Sequence, residues 1–310
     1  MTASLGRVVL AGGSGFLGQA LARELAAWGY EPVVLSRTPS ARMPSTRVVP
    51  WDGRTTGPWL SELDGAAAVV NLTGRSVDCR YTSANRHAIL ASRLDSVRVL
   101  GQAIRACRTP PPAWVQAGSL ALYGDAGDRL CDESAPVGTG FGAEVCVAWE
   151  AAFRAELTPG TRKALLRIGF ALGPQGGALT PLARLARWGL GGTVGPGTQY
   201  ISWLHIADLN AMWRWAIERP EIEGTYNGTG PSPCTNREFM RTLRRVLHRP
   251  WAPPTPTFAV RIGAFFMRTE ASLALTGRRC LPTRFADQGF KFQYHDLRAT
   301  LTAILSPENA

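Results

Sequence analysis

Seven residues near the N-terminus, Gly12-Gly13-Ser14-Gly15-Phe16-Leu17-Gly18, place glycines three apart at 12, 15 and 18. The flanks of this string give it chemical meaning. Arg7 to Ala11 reads as a short buried strand, and Phe16 to Trp28 as a helix with Leu17, Leu21, Leu25 and Trp28 along one face. Between a strand and a helix, bare glycines let a diphosphate approach the backbone. The helix N-terminus then offers it N–H groups and a partial positive charge. Gly12, Gly13, Ser14, Gly15, Phe16, Leu17 and Gly18 are therefore the expected phosphate cradle of a dinucleotide.

Two further strand ends bear on the same ligand. The second strand, Pro32 to Leu35, runs into Ser36-Arg37. A site for NAD(H) places Asp or Glu there to hold both ribose hydroxyls. Here no acid stands nearby, and Arg37 offers a guanidinium to an adenosine 2′-phosphate. The residues predict NADP(H), with NAD(H) the weaker ligand. The third strand, Ala66 to Leu72, leads into Asn71-Leu72-Thr73-Gly74, small residues that let a dinucleotide cross the sheet edge.

These positions require a particular scaffold. Helical patterns from about Ser83 to Cys107 and Phe141 to Leu157 alternate with strand patterns at Trp114 to Ser119 and Leu165 to Leu172. Such βαβ units predict an α/β fold, a Rossmann-type doubly wound parallel sheet. Gly173 to Gly197 is glycine-rich apart from a short helix near Leu179 to Trp188, followed by a returning strand at Ser202 to Ile206 and a helix to Ile217. The expected division is a nucleotide-binding domain over 1–230, with 172–200 contributing to the substrate side. A mainly helical C-terminal lobe of two or three helices follows over 231–306.

Composition narrows the class. The 310 residues are 45% hydrophobic, enough for a large core, and the 18% charged residues are dispersed, which argues against long disorder. The net charge is +11, and Lys163 and Lys291 are the sole lysines. That charge reflects either a bias toward arginine or a cleft that attracts anionic ligands. Arg237, Arg241, Arg244, Arg245 and Arg249 read as a solvated helix face, and no interleaved aromatics suggest nucleic acid. Six widely spaced cysteines fit reduced thiols rather than disulfides or a zinc site, so no metal is expected. No run approaches ~20 uninterrupted apolar residues, and the N-terminus lacks a signal-peptide pattern. The expectation is a cytoplasmic protein that binds a small-molecule substrate, touches no membrane and can pair as a homodimer.

Further motifs continue along the chain: Ser92-Arg93, Ser119 with Tyr123-Gly124, Ala143-Glu144-Val145-Cys146 with Trp149-Glu150, and Arg167 with Gly169. Gly176-Gly177, Ser202-Trp203-Leu204-His205, Asp208, Thr235 to Phe239, Leu281-Pro282 and Gly289-Phe290 follow. With the glycine string, these resemble the extended short-chain dehydrogenase/reductase superfamily over nearly the whole chain. Within it the chain is similar to the atypical "epimerase family" branch, which ends in a C-terminal domain of unknown function. The resemblance implies a nicotinamide cofactor and a substrate cleft beneath the C-terminal lobe.

One departure is chemical. The superfamily moves its proton with a tyrosine and a lysine four residues later. With Glu150 aligned to the acid after that motif, these positions hold Gly142 and Cys146. No tyrosine lies between Tyr123 and Tyr200, and no lysine precedes Lys163, so the pair is absent rather than shifted. Ser119 matches the superfamily's catalytic serine and either donates to a substrate oxygen or caps the turn after its strand. Tyr123 matches a cleft-lining tyrosine and is the candidate surrogate acid, or else a packing residue. Cys146 reads as a small buried filler and Glu144 as turned away from the cofactor. His205 reads as structural, with Asp208 capping the next helix. Three functions compete: an NADP(H)-dependent oxidoreductase acting through Ser119 and perhaps Tyr123, a non-catalytic NADPH-binding sensor or scaffold, and, more weakly, a nucleotide-sugar epimerase or dehydratase.

Overall fold

The computed structural model describes residues 4–37, 43, 46–174, 176–249 and 251–306. Seven strands form one parallel sheet: β1 (Arg7–Ala11), β2 (Glu31–Ser36), β3 (Arg47–Pro50), β4 (Ala68–Asn71), β5 (Ala113–Ser119), β6 (Arg162–Ile168) and β7 (Gly224–Gly228). Their order is β7-β6-β5-β4-β1-β2-β3, so the winding reverses between β1 and β4. In open sheets of this type the ligand crevice lies at that reversal, beyond the carboxyl ends of the strands.

Burial explains the strand sequences. Val8 to Ala11, Val33 to Leu35 and Ala68 to Val70 are all fully buried, the continuous apolar runs of a sheet covered on both faces. Helices α1 (Phe16–Ala27), α2 (Ser83–Ala106), α3 (Phe141–Ala155), α4 (Leu179–Arg187) and α5 (Ile206–Glu218) follow. Helix α1 packs on α5, and α2 packs on α3.

Two strands of this sheet, β3 and β7, were not legible in the sequence, and they are its two edges. Edge strands have one neighbour, so their apolar pattern is weaker; Gly-Thr-Tyr-Asn-Gly of β7 has little strand propensity of its own. The predicted strand Leu165 to Leu172 splits at Gly169, where a Cβ would stand 2.4 Å from the Ser202 carbonyl oxygen. Beyond it Phe170–Leu172 leaves the main sheet and pairs in parallel with Trp203–His205, so the returning strand lies outside the seven-stranded sheet.

Among the described residues the C-terminal part has five helical segments rather than two or three: α6 (Asn236–Val246), α7 (Thr257–Phe266), α8 (Ser272–Leu275), α9 (Thr283–Asp287) and α10 (Leu297–Leu305). A second apolar core joins Phe239, Met240, Leu243, Leu301 and Ile304 to Leu172, Leu179, Ala183, Ala186 and Trp203. Phe285 and Phe290 instead join the core of the main sheet. The arginines of α6 are not a purely solvated face. Arg244 donates to the Gly191 carbonyl at 2.7 Å, Arg237 to that of Pro196 at 2.9 Å, and Arg249, beyond the helix, to that of Arg187 at 3.1 Å. They tie down the glycine-rich segment. No helix among the described residues is long and apolar enough to cross a membrane.

Candidate functional site

The glycine turn at the β1–α1 junction is shaped by what each glycine excludes. Gly12 has φ +73°, and a Cβ there would lie 2.7 Å from Thr73 Oγ1. A Cβ on Gly18 would fall 2.3 Å from the Gly13 carbonyl oxygen, so this glycine lets the helix close against the turn. Gly15 differs: a Cβ there would meet nothing within 4 Å. Gly15 is the exposed N-cap of α1, no side chain caps it, and the first turn holds no acid. Among the described residues the first amides of α1 therefore face open space without a competing anion. The surrounding residues brace this mouth. Ser36 Oγ donates to Ser14 Oγ at 3.0 Å, and Gln19 Nε2 donates to the Ser14 carbonyl at 2.6 Å. Leu17 packs on the main core. The Phe16 ring lies where Cβ atoms on Gly173, Gly176 and Gly177 would come within 2.9 to 3.0 Å of it.

Beyond β2, exposed Arg37 borders a cavity of about 410 Å³ walled by Pro50, Trp51, Asp52, Thr55 and Trp59 among others. The Trp51 and Trp59 rings meet edge to face, centroids 5.5 Å apart. The cavity includes an acid that the sequence reading did not place, because Asp52 comes from the loop after β3. Its carboxylate accepts from the Thr55 amide at 2.9 Å, the Arg54 amide at 2.8 Å and the Thr55 hydroxyl at 2.7 Å. Those bonds, the Thr55 amide foremost, hold its pKa below the usual carboxylate range.

The end of β4 departs from expectation at Asn71. This side chain is fully buried, donating to Gln116 Oε1 at 3.0 Å and Ser96 Oγ at 3.2 Å and accepting from the Thr73 amide at 3.0 Å. Every polar atom of Asn71 is thus engaged inside the protein. It shapes the strand end, so the Asn71 side chain offers no spare polar atom to a cofactor, in contrast to the direct contact expected from its position. Leu72 packs on the core, and its amide donates to the Ala11 carbonyl at 2.8 Å. Thr73 Oγ1, beside Gly12, is buried without a hydrogen-bond partner. Gly74 is exposed.

Ser119 ends β5 and caps the short 3₁₀ turn Leu120–Tyr123, its oxygen accepting from the Ala121 amide at 3.2 Å. Capping uses the oxygen and leaves the hydroxyl proton for another acceptor. A Cβ on Gly142 would touch Ala121 Cβ at 3.5 Å, so this turn meets the start of α3.

Of the two roles open to Tyr123, the structure fits the packing residue and not the surrogate acid. Tyr123 is fully buried, and its hydroxyl accepts from Arg167 Nη1 at 2.7 Å while lying 2.8 Å from both Asn227 Oδ1 and the Asp132 carbonyl. Burial pushes its pKa up to about 12 despite the neighbouring guanidinium. Arg167 in turn forms a two-pronged pair with buried Glu150, at 2.8 and 2.9 Å. Cys146 is buried with Leu120, Leu122, Tyr123, Cys131 and Cys280, and burial raises its thiol to about 11. Glu144 is exposed on α3. His205, not Asp208, caps α5: its Nδ1 accepts from the Ala207 amide at 3.1 Å, and its ring stacks on Tyr294 at 3.7 Å. Asp208 is buried and accepts from the Gln293 and Tyr294 amides at 3.0 and 3.1 Å, fastening the C-terminal segment.

Comparison with known proteins agrees with this architecture. The NAD dependent epimerase/dehydratase family matches residues 8–227, and a domain of unknown function, DUF1731, matches 255–304. The epimerase family protein SDR39U1 of Bos taurus is 35% identical over 307 residues, covering 97% of this chain and all of that protein. The epimerase family protein YfhF of Bacillus subtilis is 31% identical over 309 residues, covering 96% and 98%. The crystal structure of human epimerase family protein SDR39U1 (isoform2) with NADPH superposes with a TM-score of 0.87 at 33% identity, covering 97% of this chain and 99% of that one. Thermus thermophilus UDP-glucose 4-epimerase, in complex with NAD, shares the fold at a TM-score of 0.76 and 18% identity, covering 97% and 99%.

Proposed function

The chain belongs to the NAD-dependent epimerase/dehydratase family, and from that premise we propose that it is an NADP(H)-dependent oxidoreductase of the epimerase-like short-chain dehydrogenase/reductase type, acting on a small organic carbonyl compound without the usual Tyr-Lys pair. The observation that carries this is the open space at Gly15, bracketed by two glycines that admit no side chain. The α1 amides would hold the diphosphate, and Arg37 would grip a 2′-phosphate at the mouth of the adjoining cavity. NADPH in the human relative's structure favours the phosphorylated form.

When bound, the cofactor supplies or accepts hydride at its nicotinamide ring. Ser119 would donate its free hydroxyl proton as a hydrogen bond to the substrate oxygen, stabilising negative charge as it develops there. Neither Tyr123 nor Cys146 releases a proton near neutral pH, so the proton comes from water or from the substrate itself.

A titration tests the cofactor assignment. Wild-type protein should bind NADPH more tightly than NADH, and Arg37→Ala should weaken NADPH by about 10- to 100-fold with little change for NADH. Equal or tighter NADH binding by the wild type refutes the assignment. The placement of Gly142 and buried Cys146 at the pair's positions favours a second reading, an NADPH-binding sensor or scaffold. A carbonyl substrate panel followed by NADPH absorbance separates them. Turnover abolished by Ser119→Ala supports the enzyme, whereas tight binding with no turnover supports the sensor.

A further inference from the structure

Helix α2 carries a guanidinium with unspent hydrogen-bonding capacity. Arg93 Nη1 donates to the Ile89 and Arg75 carbonyls at 2.9 and 3.2 Å. The guanidinium lies over the Trp149 ring, 5.0 Å from its centroid, and directly beneath Gly74, where an added Cβ would stand 3.1 Å from Arg93 Cζ. No carboxylate pairs with it among the described residues, whose ion pairs all involve other arginines. Burial disfavours its charge. Nε and Nη2 have no protein acceptor among the described residues. Arg93 is only partly buried, so its two unused donor positions are open to water or to a bound ligand.

Its position indicates what that is. Trp149 lies three residues beyond Cys146 on α3, and the charge of Arg93 acts on the Cys146 thiol. By the resemblance set out from the sequence, Cys146 stands where the wider superfamily has the lysine that holds the ribose next to the nicotinamide. Gly74 belongs to the β4 loop, whose Thr73 abuts the glycine turn. Arg93 therefore lies between the phosphate cradle and the missing lysine, on the opposite side of β1 from Arg37.

We propose that Arg93 binds the nicotinamide half of the dinucleotide, donating from Nε and Nη2 to the hydroxyls of its ribose in place of the absent lysine. A guanidinium stays protonated and cannot relay a proton. It replaces the lysine's grip without its acid–base coupling, which suits a site with no tyrosine to activate. The inference rests on the dinucleotide reading, and its test separates the two. Calorimetry on the full chain compares NADPH with adenosine 2′,5′-bisphosphate, which lacks the nicotinamide half. Arg93→Gln should weaken NADPH by about tenfold or more and leave the bisphosphate within about twofold. NADPH affinity equal to wild type, or equal losses for both ligands, overturns the proposal; the latter would make Arg93 only an anchor of the Arg75 loop. If the Gln variant does not fold, Arg93→Met keeps the apolar stem over Trp149 and is read by the same outcomes. Wild-type protein that binds neither ligand overturns the dinucleotide reading, and this inference with it.

Discussion

Gly15→Ala isolates the cradle from the fold. The backbone at Gly15 has φ −85° and ψ −177°, which alanine adopts freely, and its methyl would meet nothing within 4 Å. At an N-cap, alanine is worse than glycine by roughly 0.5–1 kcal/mol, partly offset by the smaller entropy of the unfolded alanine chain. Stability should therefore stay within about 1 kcal/mol, and Tm within about 3 °C. Binding should respond differently. Phosphate oxygens must come within about 3 Å of the turn's amides, and a methyl in that space needs roughly 3.5 Å of clearance. Loss of two charge-assisted hydrogen bonds, at ~1.5–3 kcal/mol each, weakens NADPH by about 100-fold or more. The assay is thermal unfolding with and without NADPH. At about 100 times its Kd the ligand stabilises wild type by ~2.7 kcal/mol. Gly15→Ala should melt near the wild-type temperature without ligand and show almost no shift at the same NADPH concentration. Gly18→Ala should instead lose stability, since its Cβ would stand 2.3 Å from a backbone oxygen. A full NADPH shift in Gly15→Ala would refute the reasoning.

Three further predictions concern buried or partly buried polar groups. Glu150→Gln leaves Arg167 without its counter-charge and should cost ~3–5 kcal/mol in urea unfolding. Tyr123→Phe should cost ~1–3 kcal/mol without moving the pH profile of any turnover, and a moved profile would restore Tyr123 as an acid. Burial lowers the His205 pKa from 6.5 to about 4. Below the ordinary value the unfolded chain takes a proton that the folded protein refuses, so this contribution is whole above about pH 6.5 and is lost as pH falls toward about 4. Solvent at the partly exposed ring screens this effect, so the full loss is below about 3 kcal/mol. His205→Asn, which still caps α5, should flatten the decline in urea midpoint from about pH 7 to 5; an unchanged decline refutes the assignment.

The legible parts of this molecule are those whose physics is local. The β1 run, the glycine turn and the stripe of α1 lie within some twenty consecutive residues, so strand, turn and helix announce one another. The sequence leaves Tyr123 open between acid and packing residue because its neighbours are remote: Arg167 lies 44 positions away and Asn227 lies 104. Motif position places a tyrosine near a cleft but does not reveal that two distant side chains seal its hydroxyl. Asp52 reached the Arg37 cavity for the same reason, through β3, an edge strand with too little pattern to read. At α5 both His205 and Asp208 are chemically able to cap, and the choice was made by Gln293 and Tyr294, whose amides claim the carboxylate.

The shared second core has a consequence for dissecting the protein. A cut near residue 230 would leave Leu172, Leu179 and Trp203 on one fragment and Phe239, Leu243 and Leu301 on the other. Each piece would present half of an oily interface to solvent. The tail is thus no detachable module, and a minimal nucleotide-binding fragment would have to be redesigned around the 170–205 excursion rather than obtained by truncation.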